Sequence, residues 1–190
     1  MNCLSWNCRG LGNPRRVREL SDLVKAKAPK VVFLMETKKK KAYLERIHCH
    51  LSFDNLFIVP WRNLSGGLAL FWTNELDLHI HTFSPQHINA VVNPRVNDAW
   101  RLTVFYGAPK VANREDSWTV LHHLGSQLNL PWVCFGDFNE ITRIQEKFGG
   151  CIRPESQMQG FRDCLDVCRL KDSGSWVYRS LGLTGGTMVQ

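Results

Sequence analysis

No apolar stretch in this 190-residue sequence reaches the ~18 residues that a membrane-spanning helix needs, so a helical anchor is not expected. The opening Met1-Asn2-Cys3-Leu4-Ser5-Trp6-Asn7 lacks the basic-then-apolar order of a secretory leader. The expectation is an intracellular protein, nuclear or cytoplasmic and not secreted. Internal repeats and low-complexity linkers are also missing, which excludes solenoid, collagen-like and disordered chains. Acidic residues are the minority, 17 against 24 Lys and Arg, leaving a net charge of +7 that favours a polyanionic partner such as nucleic acid. Seven cysteines show no compact disulfide spacing and read as buried thiols of a reducing compartment. Cys164 and Cys168 stand one helical turn apart with His48 and His50 far away, so core packing is the preferred reading and zinc the sharper alternative.

What is present is a series of short apolar runs separated by helical patterns. Leu4 to Cys8 reads as a strand, and Asn13-Pro14 then caps and opens a helix carrying Val17, Leu20 and Val24, stopped before Pro29. Lys30 to Met35 is a continuous apolar strand suited to cover on both faces. A second helix holds Tyr43, Leu44, Ile47 and Leu51. Strands follow at Phe57-Ile58-Val59 and, after a Ser65-Gly66-Gly67 turn, at Leu68 to Trp72. Leu76, Leu78 and Ile80 alternate with polar residues as in a half-exposed strand, and two more strands run from Ile88 to Asn93 and from Trp100 to Tyr106. Asn113 caps a helix with Trp118, Leu121, Leu124 and Leu128, Pro131 to Phe135 is another buried strand, and a last helix carries Met158, Phe161, Leu165 and Cys168. Many short strands interspersed with helices, without regular alternation, predict a mixed α/β domain of sheets and covering helices.

The chemistry-bearing residues stand where apolar strands end: Asn7, Glu36, Tyr106, and the pair Asp137 and Asn139. Side chains at i and i+2 of a strand share a face, so Asp137 and Asn139 are expected to point together and Phe138 away. If these strand ends lie side by side, two carboxylates and an amide converge at the mouth of a sheet. That donor set suits a hard cation such as Mg2+, which takes one or two carboxylates and leaves room for water and phosphate. Each signal alone is weak, since a lone Glu after a strand is usually a loop residue.

In combination the motifs are specific. Trp6-Asn7-Cys8-Arg9-Gly10, Leu34-Met35-Glu36-Thr37, Gly66 to Trp72, Phe105-Tyr106-Gly107 and Gly136-Asp137-Phe138-Asn139, in this order, resemble the endonuclease/exonuclease/phosphatase superfamily. Ser5 to Gly12, Gly136 to Ile141, Glu146-Lys147 and Gly149-Gly150 look most like the endonuclease domain of plant non-LTR (LINE-type) retroelements. The resemblance covers about residues 2 to 170. It implies the DNase-I-like α/β sandwich: four layers, two packed mixed sheets flanked by helices. It implies Mg2+, with Mn2+ as a substitute, held by Glu36 with Asn7 beside it. Asp137 would orient or deprotonate the attacking water, Asn139 would hold a phosphate oxygen, and Tyr106 would contact the phosphate. The implied reaction is metal-assisted hydrolysis of a DNA phosphodiester, with no membrane and no stable protein partner. Arg9, Lys38, Lys39 and Lys40 would contact backbone phosphates, a salt-sensitive and sequence-blind attraction.

One family feature is missing. The family's Ser-Asp-His segment, whose histidine contacts the scissile phosphate, occurs nowhere in the chain, and none of the seven histidines stands in that context. From about Ser173 the text departs from the family pattern. The expected organisation is therefore an incomplete domain over 1–172 and a divergent tail over 173–190, with weak or absent catalysis. The competing expectations are a non-catalytic DNA-binding remnant and a phosphatase or phosphodiesterase acting on small phosphorylated molecules.

Overall fold

The computed structural model describes residues 2–61, 66–147, 149 and 152–172, and the backbone of 187–189. Ser65, Gly150 and most of the expected tail lie outside the described residues. The chain starts with β1 (Cys3–Asn7), α1 (Pro14–Lys27) and β2 (Val31–Met35), and the helix makes β1 and β2 parallel neighbours. Asn13 caps α1 by accepting from Arg15 N at 2.9 Å, and Pro14 fills the first turn. The helix ends in a left-handed Ala28, whose N–H returns to Val24 O.

Next come α2 (Lys41–Leu51), β3 (Asn55–Val59) and β4 (Leu68–Trp72), and the first sheet has the order β1-β2-β4-β3. Strands β5 (Leu78–Ser84), β6 (His87–Val92) and β7 (Trp100–Tyr106) form an antiparallel meander. Helix α3 (Arg114–Gln127) then carries the chain to β8 (Trp132–Asp137), parallel to β7. After α4 (Glu155–Val167), β9 (Thr187–Val189) pairs antiparallel with β8, so the second sheet runs β5-β6-β7-β8-β9.

Strand alternation sorts the side chains into layers. In β2, Val31, Phe33 and Met35 meet Val104, Tyr106 and Phe135 between the sheets, whereas Val32 and Leu34 turn outward to Leu20 of α1 and Leu44 and Ile47 of α2. On the other outer face, Phe105, Cys134 and Phe138 pack against Trp118 and Leu121 of α3 and Phe161 and Leu165 of α4. All five residues of β2 are buried because both of its faces are covered. This is the four-layer sandwich of two mixed sheets flanked by helices that the resemblance implies.

Several boundaries differ from the expectation. Strand β1 stops at Asn7, because Cys8 N already donates to Met35 O as the chain turns. Leu76 lies in the turn before β5, its N–H bonded to Thr73 O. Asn113 closes a 3-10 turn and makes no side-chain cap, and Leu128 and Cys168 fall just beyond their helices. Among the described residues no helix is long and apolar enough to cross a membrane. The six described cysteines are free thiols, and burial pushes Cys8 up to about 12, with backbone hydrogen bonds opposing it.

Candidate active site

Each sheet has one parallel pair joined by a helix, β1 with β2 and β7 with β8, and the functional side chains stand at the carboxyl ends of these four strands. That is where open α/β sheets collect ligands. Asn7 pairs in register with Met35, which precedes Glu36, and Tyr106 pairs with Asp137. Trp6, Phe105 and Phe138 point to the helix layers. Alternation therefore turns Asn7, Tyr106 and Asp137 to the gap between the sheets.

The gap is closed by hydrogen bonds. Asn7 Nδ2 donates to Glu36 Oε1 at 3.2 Å and to Asp137 Oδ2 at 3.5 Å. Tyr106 donates its hydroxyl to Glu36 Oε1 at 2.6 Å, and Lys38 Nζ stands 3.1 Å from Glu36 Oε2. One buried amide thus bridges two carboxylates from opposite sheets. Glu36 holds a left-handed backbone, φ 52°, which is strained for a residue with a side chain. It is fixed by Gly10 N donating to Glu36 O at 2.7 Å and Thr37 N donating to Gly67 O at 3.1 Å.

The two carboxylates differ electrostatically. Burial raises the Glu36 pKa, but hydrogen bonds from Tyr106, Lys38 and Asn7 outweigh it and hold the group below its ordinary value. Asp137 lies above its ordinary value: burial dominates and the Glu36 charge adds to it, against opposing bonds from Asn139 N and Asn7 and the charge of Arg9. Burial and the bond to Glu36 push the Tyr106 hydroxyl up, so it stays a donor.

Asn139 departs from the strand geometry expected for it. Strand β8 ends at Asp137, and Asn139 is left-handed at φ 56°, so strand alternation does not aim it. A tight turn does: Asn139 N donates to Asp137 Oδ1 at 3.0 Å and Asn139 Nδ2 donates to Gly107 O at 2.8 Å. The glycines of the two motifs interlock here. A Cβ on Gly107 would lie 2.2 Å from Phe138 O, and one on Gly136 would lie 1.9 Å from Phe105 O.

The structure brings Asn7, Glu36, Tyr106, Asp137 and Asn139 together, and of the basic residues Lys38 bonds directly to Glu36. Arg9 is exposed, and its charge reaches Asp137. Lys39 stands apart, with Nζ 5.2 Å over the Tyr43 ring, and exposed Lys40 precedes α2. No histidine hydrogen-bonds or ion-pairs with any of the five residues among the described contacts.

Sequence reasoning passed over Glu140. Its buried carboxylate takes Arg114 Nη1 at 2.6 Å and Arg153 Nε at 2.9 Å, tying the turn after Asn139 to the starts of α3 and α4. The available signal was an acidic residue directly after the Gly-Asp-Phe-Asn motif.

A divalent cation fits this donor set. The two carboxylates supply hard oxygen ligands, no sulfur or imidazole stands among the five residues, and the Lys38 ammonium already sits on Glu36 as a cation would. Burial chiefly raises Asp137 and the Glu36 charge adds to it, and a cation between the two carboxylates would favour their charged forms.

Residues 4–186 match the Endonuclease/Exonuclease/phosphatase family, so the chain belongs to it. The sandwich is similar to a 3'-5' exonuclease from Neisseria meningitidis, with a TM-score of 0.66 and 20% identity over 100% of this chain and 86% of that one. An AP endonuclease from Leishmania major gives a TM-score of 0.67 at 14% identity, over 100% of this chain and 78% of that one. The endonuclease domain of TRAS1, a telomere-specific non-LTR retrotransposon, gives 0.65 at 11% identity over 99% of this chain and 84% of that one. At these identities the likeness shows the fold. Among curated proteins none matches at a significant level.

Proposed function

We propose that this member of the endonuclease/exonuclease/phosphatase family is a Mg2+-dependent DNA phosphodiesterase of LINE-type retroelement origin, from a plant element, and a slow one. The observation that carries the reading is the Asn7 amide bridging the Glu36 and Asp137 carboxylates at the open ends of four strands. The retroelement origin rests on the sequence phrase from Ser5 to Gly12 and its partner from Gly136 to Ile141. DNA as substrate is supported by the +7 charge and by the similar structures, which include an exonuclease, an AP endonuclease and a retrotransposon endonuclease. The lysines at 38 to 41 add to it. Lys40 and Lys41 at the start of α2 oppose the helix dipole, a placement that an anionic partner would offset.

Glu36 and Asn7 would hold the magnesium ion, which when bound neutralises charge on the phosphate oxygens. Asp137 then takes the proton of the attacking water, a role suited to a carboxylate whose proton affinity burial has raised. Asn139 spends one amide hydrogen on Gly107 O and keeps the other for a phosphate oxygen. Tyr106 donates a hydrogen bond to Glu36 and orients that carboxylate. Arg9, Lys38, Lys39 and Lys40 would hold neighbouring backbone phosphates.

Among the described residues no imidazole contacts Asn7, Glu36, Tyr106, Asp137 or Asn139 to serve the leaving oxygen. A positioned acid or base typically contributes 10²–10⁴-fold, about 2.7–5.4 kcal/mol of barrier. Plasmid nicking by the full chain, with and without Mg2+, tests the reading. Slow nicking that needs Mg2+ and disappears in Glu36→Gln and Asp137→Asn supports it. Nicking that persists in EDTA or in Glu36→Gln overturns it. Salt-sensitive DNA retention with no cleavage in any metal makes the chain a binding remnant instead.

A further inference from the structure

We propose that His122, Cys164 and Cys168 form a second metal site, for Zn2+ or a similarly thiophilic transition ion, that ties α3 to the end of α4. It lies on the helix side of the second sheet, away from the gap where Glu36 and Asp137 meet. One imidazole nitrogen and the two sulfurs all stand within 4.8 Å of one another. Tetrahedral zinc, with Zn–S near 2.3 Å and Zn–N near 2.0–2.1 Å, needs its ligand atoms roughly 3.5–3.8 Å apart. Closing the triangle therefore takes a shift of about 1 Å, within reach of side-chain torsions.

The backbone explains why these three meet. Cys164 and Cys168 are one helical turn apart and share a face, with Cys168 just past the end of α4. Trp118 and His122 are likewise four apart on α3, and Trp118 packs on α4. Its ring stacks on Phe161 with centroids 4.8 Å apart, and its carbonyl lies 3.8 Å from Cys164 Sγ. Gly125 of α3 lies against Cys168: a Cβ there would stand 3.4 Å from Sγ, an ordinary contact. Cys164 is buried, Cys168 half-buried and His122 exposed, so the triangle opens toward solvent. That leaves an entry path and a fourth position for water.

Core packing accounts for Cys164, which lies in the apolar cluster between α3, α4 and the sheet. It does not account for an exposed imidazole placed over both thiols. The donor chemistry separates the two sites. Thiolate and imidazole select zinc and its neighbours, whereas the oxygen-only set at Glu36 and Asp137 suits magnesium.

Co2+ titration of the reduced full chain is the test, because cobalt reports sulfur ligation by a thiolate-to-metal absorption band. The expected result is a band saturating at one ion per chain and bleached by Zn2+. Cys168→Ser should remove most of it. His122→Ala, a surface change that leaves the core intact, should weaken apparent Zn2+ affinity at least about tenfold. Glu36→Gln should leave the band unchanged. Cobalt binding with no sulfur band overturns the proposal. So does a band that survives both Cys168→Ser and His122→Ala, since it would come from other thiols.

Discussion

Tyr106 donates its hydroxyl to Glu36 Oε1 across 2.6 Å, and the bond joins the second sheet to the first at the open end of the sandwich. The donor follows from β7, the acceptor from the turn after β2, and Asn7 and Asp137 complete the crossing from the neighbouring strands. The same polar contacts that would assemble a cation site also hold the two sheets together where the apolar core ends.

Tyr106→Phe should test both roles at once. Glu36 is held below its ordinary pKa, so its contribution to stability is present above that ordinary value and is lost as pH falls through the folded one. Losing the hydroxyl should cost about 1–2 kcal/mol at neutral pH, discounted because Glu36 is partly solvated. In urea unfolding the variant and parent should converge once the medium is acidic enough to protonate Glu36. Half-saturation of nicking should shift to higher Mg2+.

Asp137→Asn should stabilise the metal-free fold while removing activity. Asp137 is raised, so the native state binds the extra proton between the ordinary and folded values, and stability falls as pH rises through that window. The amide removes this penalty and can still accept from Asn139 N. Thermal melts at neutral pH without metal should show a higher Tm, and cleavage should drop at least about 10²-fold.

His87 predicts acid sensitivity away from the site. Burial, with the charge of His123, lowers its pKa from 6.5 to about 4, while Ser84 Oγ lies 2.8 Å from Nδ1 and Nε2 has no hydrogen-bond partner among the described residues. The unfolded chain takes up this proton first. Stability is therefore full above pH 6.5 and declines toward pH 4, by about 3 kcal/mol for this group. Unfolding midpoints of His87→Gln should be flatter across that window than those of the parent.

Gly107→Ala should damage the site more than its size implies. The added Cβ would stand 2.2 Å from Phe138 O, so the ends of β7 and β8 must part. The destabilisation should be at least about 2 kcal/mol, and the bond from Asn139 to Gly107 should break with it. A variant with parental stability and parental nicking would contradict this.

Glu140→Ala should be among the most destabilising single changes, by about 3–5 kcal/mol, because it strands the buried Arg114 and the partly buried Arg153 without their carboxylate. Denaturant unfolding measures it. Glu140→Gln, which keeps one acceptor, should recover part of the loss.

The order of short apolar strands, the Asn13-Pro14 helix start and the all-buried β2 were legible in the sequence, because alternation, capping and two-sided burial are local properties. So were Asn7, Glu36, Tyr106 and Asp137 as polar ends of apolar runs. Asn139 was found for the wrong reason: it follows a left-handed turn rather than the strand, and such turns leave little trace in residue pattern. Glu140 was passed over because its two arginines arrive from elements distant in sequence.

The sequence by itself determined most of the strands and helices and that Asn7, Glu36, Tyr106 and Asp137 would stand at strand ends, since those depend on neighbours within a few positions. Only the tertiary structure decided that two sheets press those ends together. That packing set Glu36 below and Asp137 above its ordinary pKa, aimed the Tyr106 hydroxyl at Glu36, and brought His122 rather than His48 or His50 to the cysteine pair. The physical reason is range. Hydrogen bonds and desolvation act over a few ångströms, and residues as remote in sequence as Asn7 and Asp137 come within that range only after the apolar cores have closed.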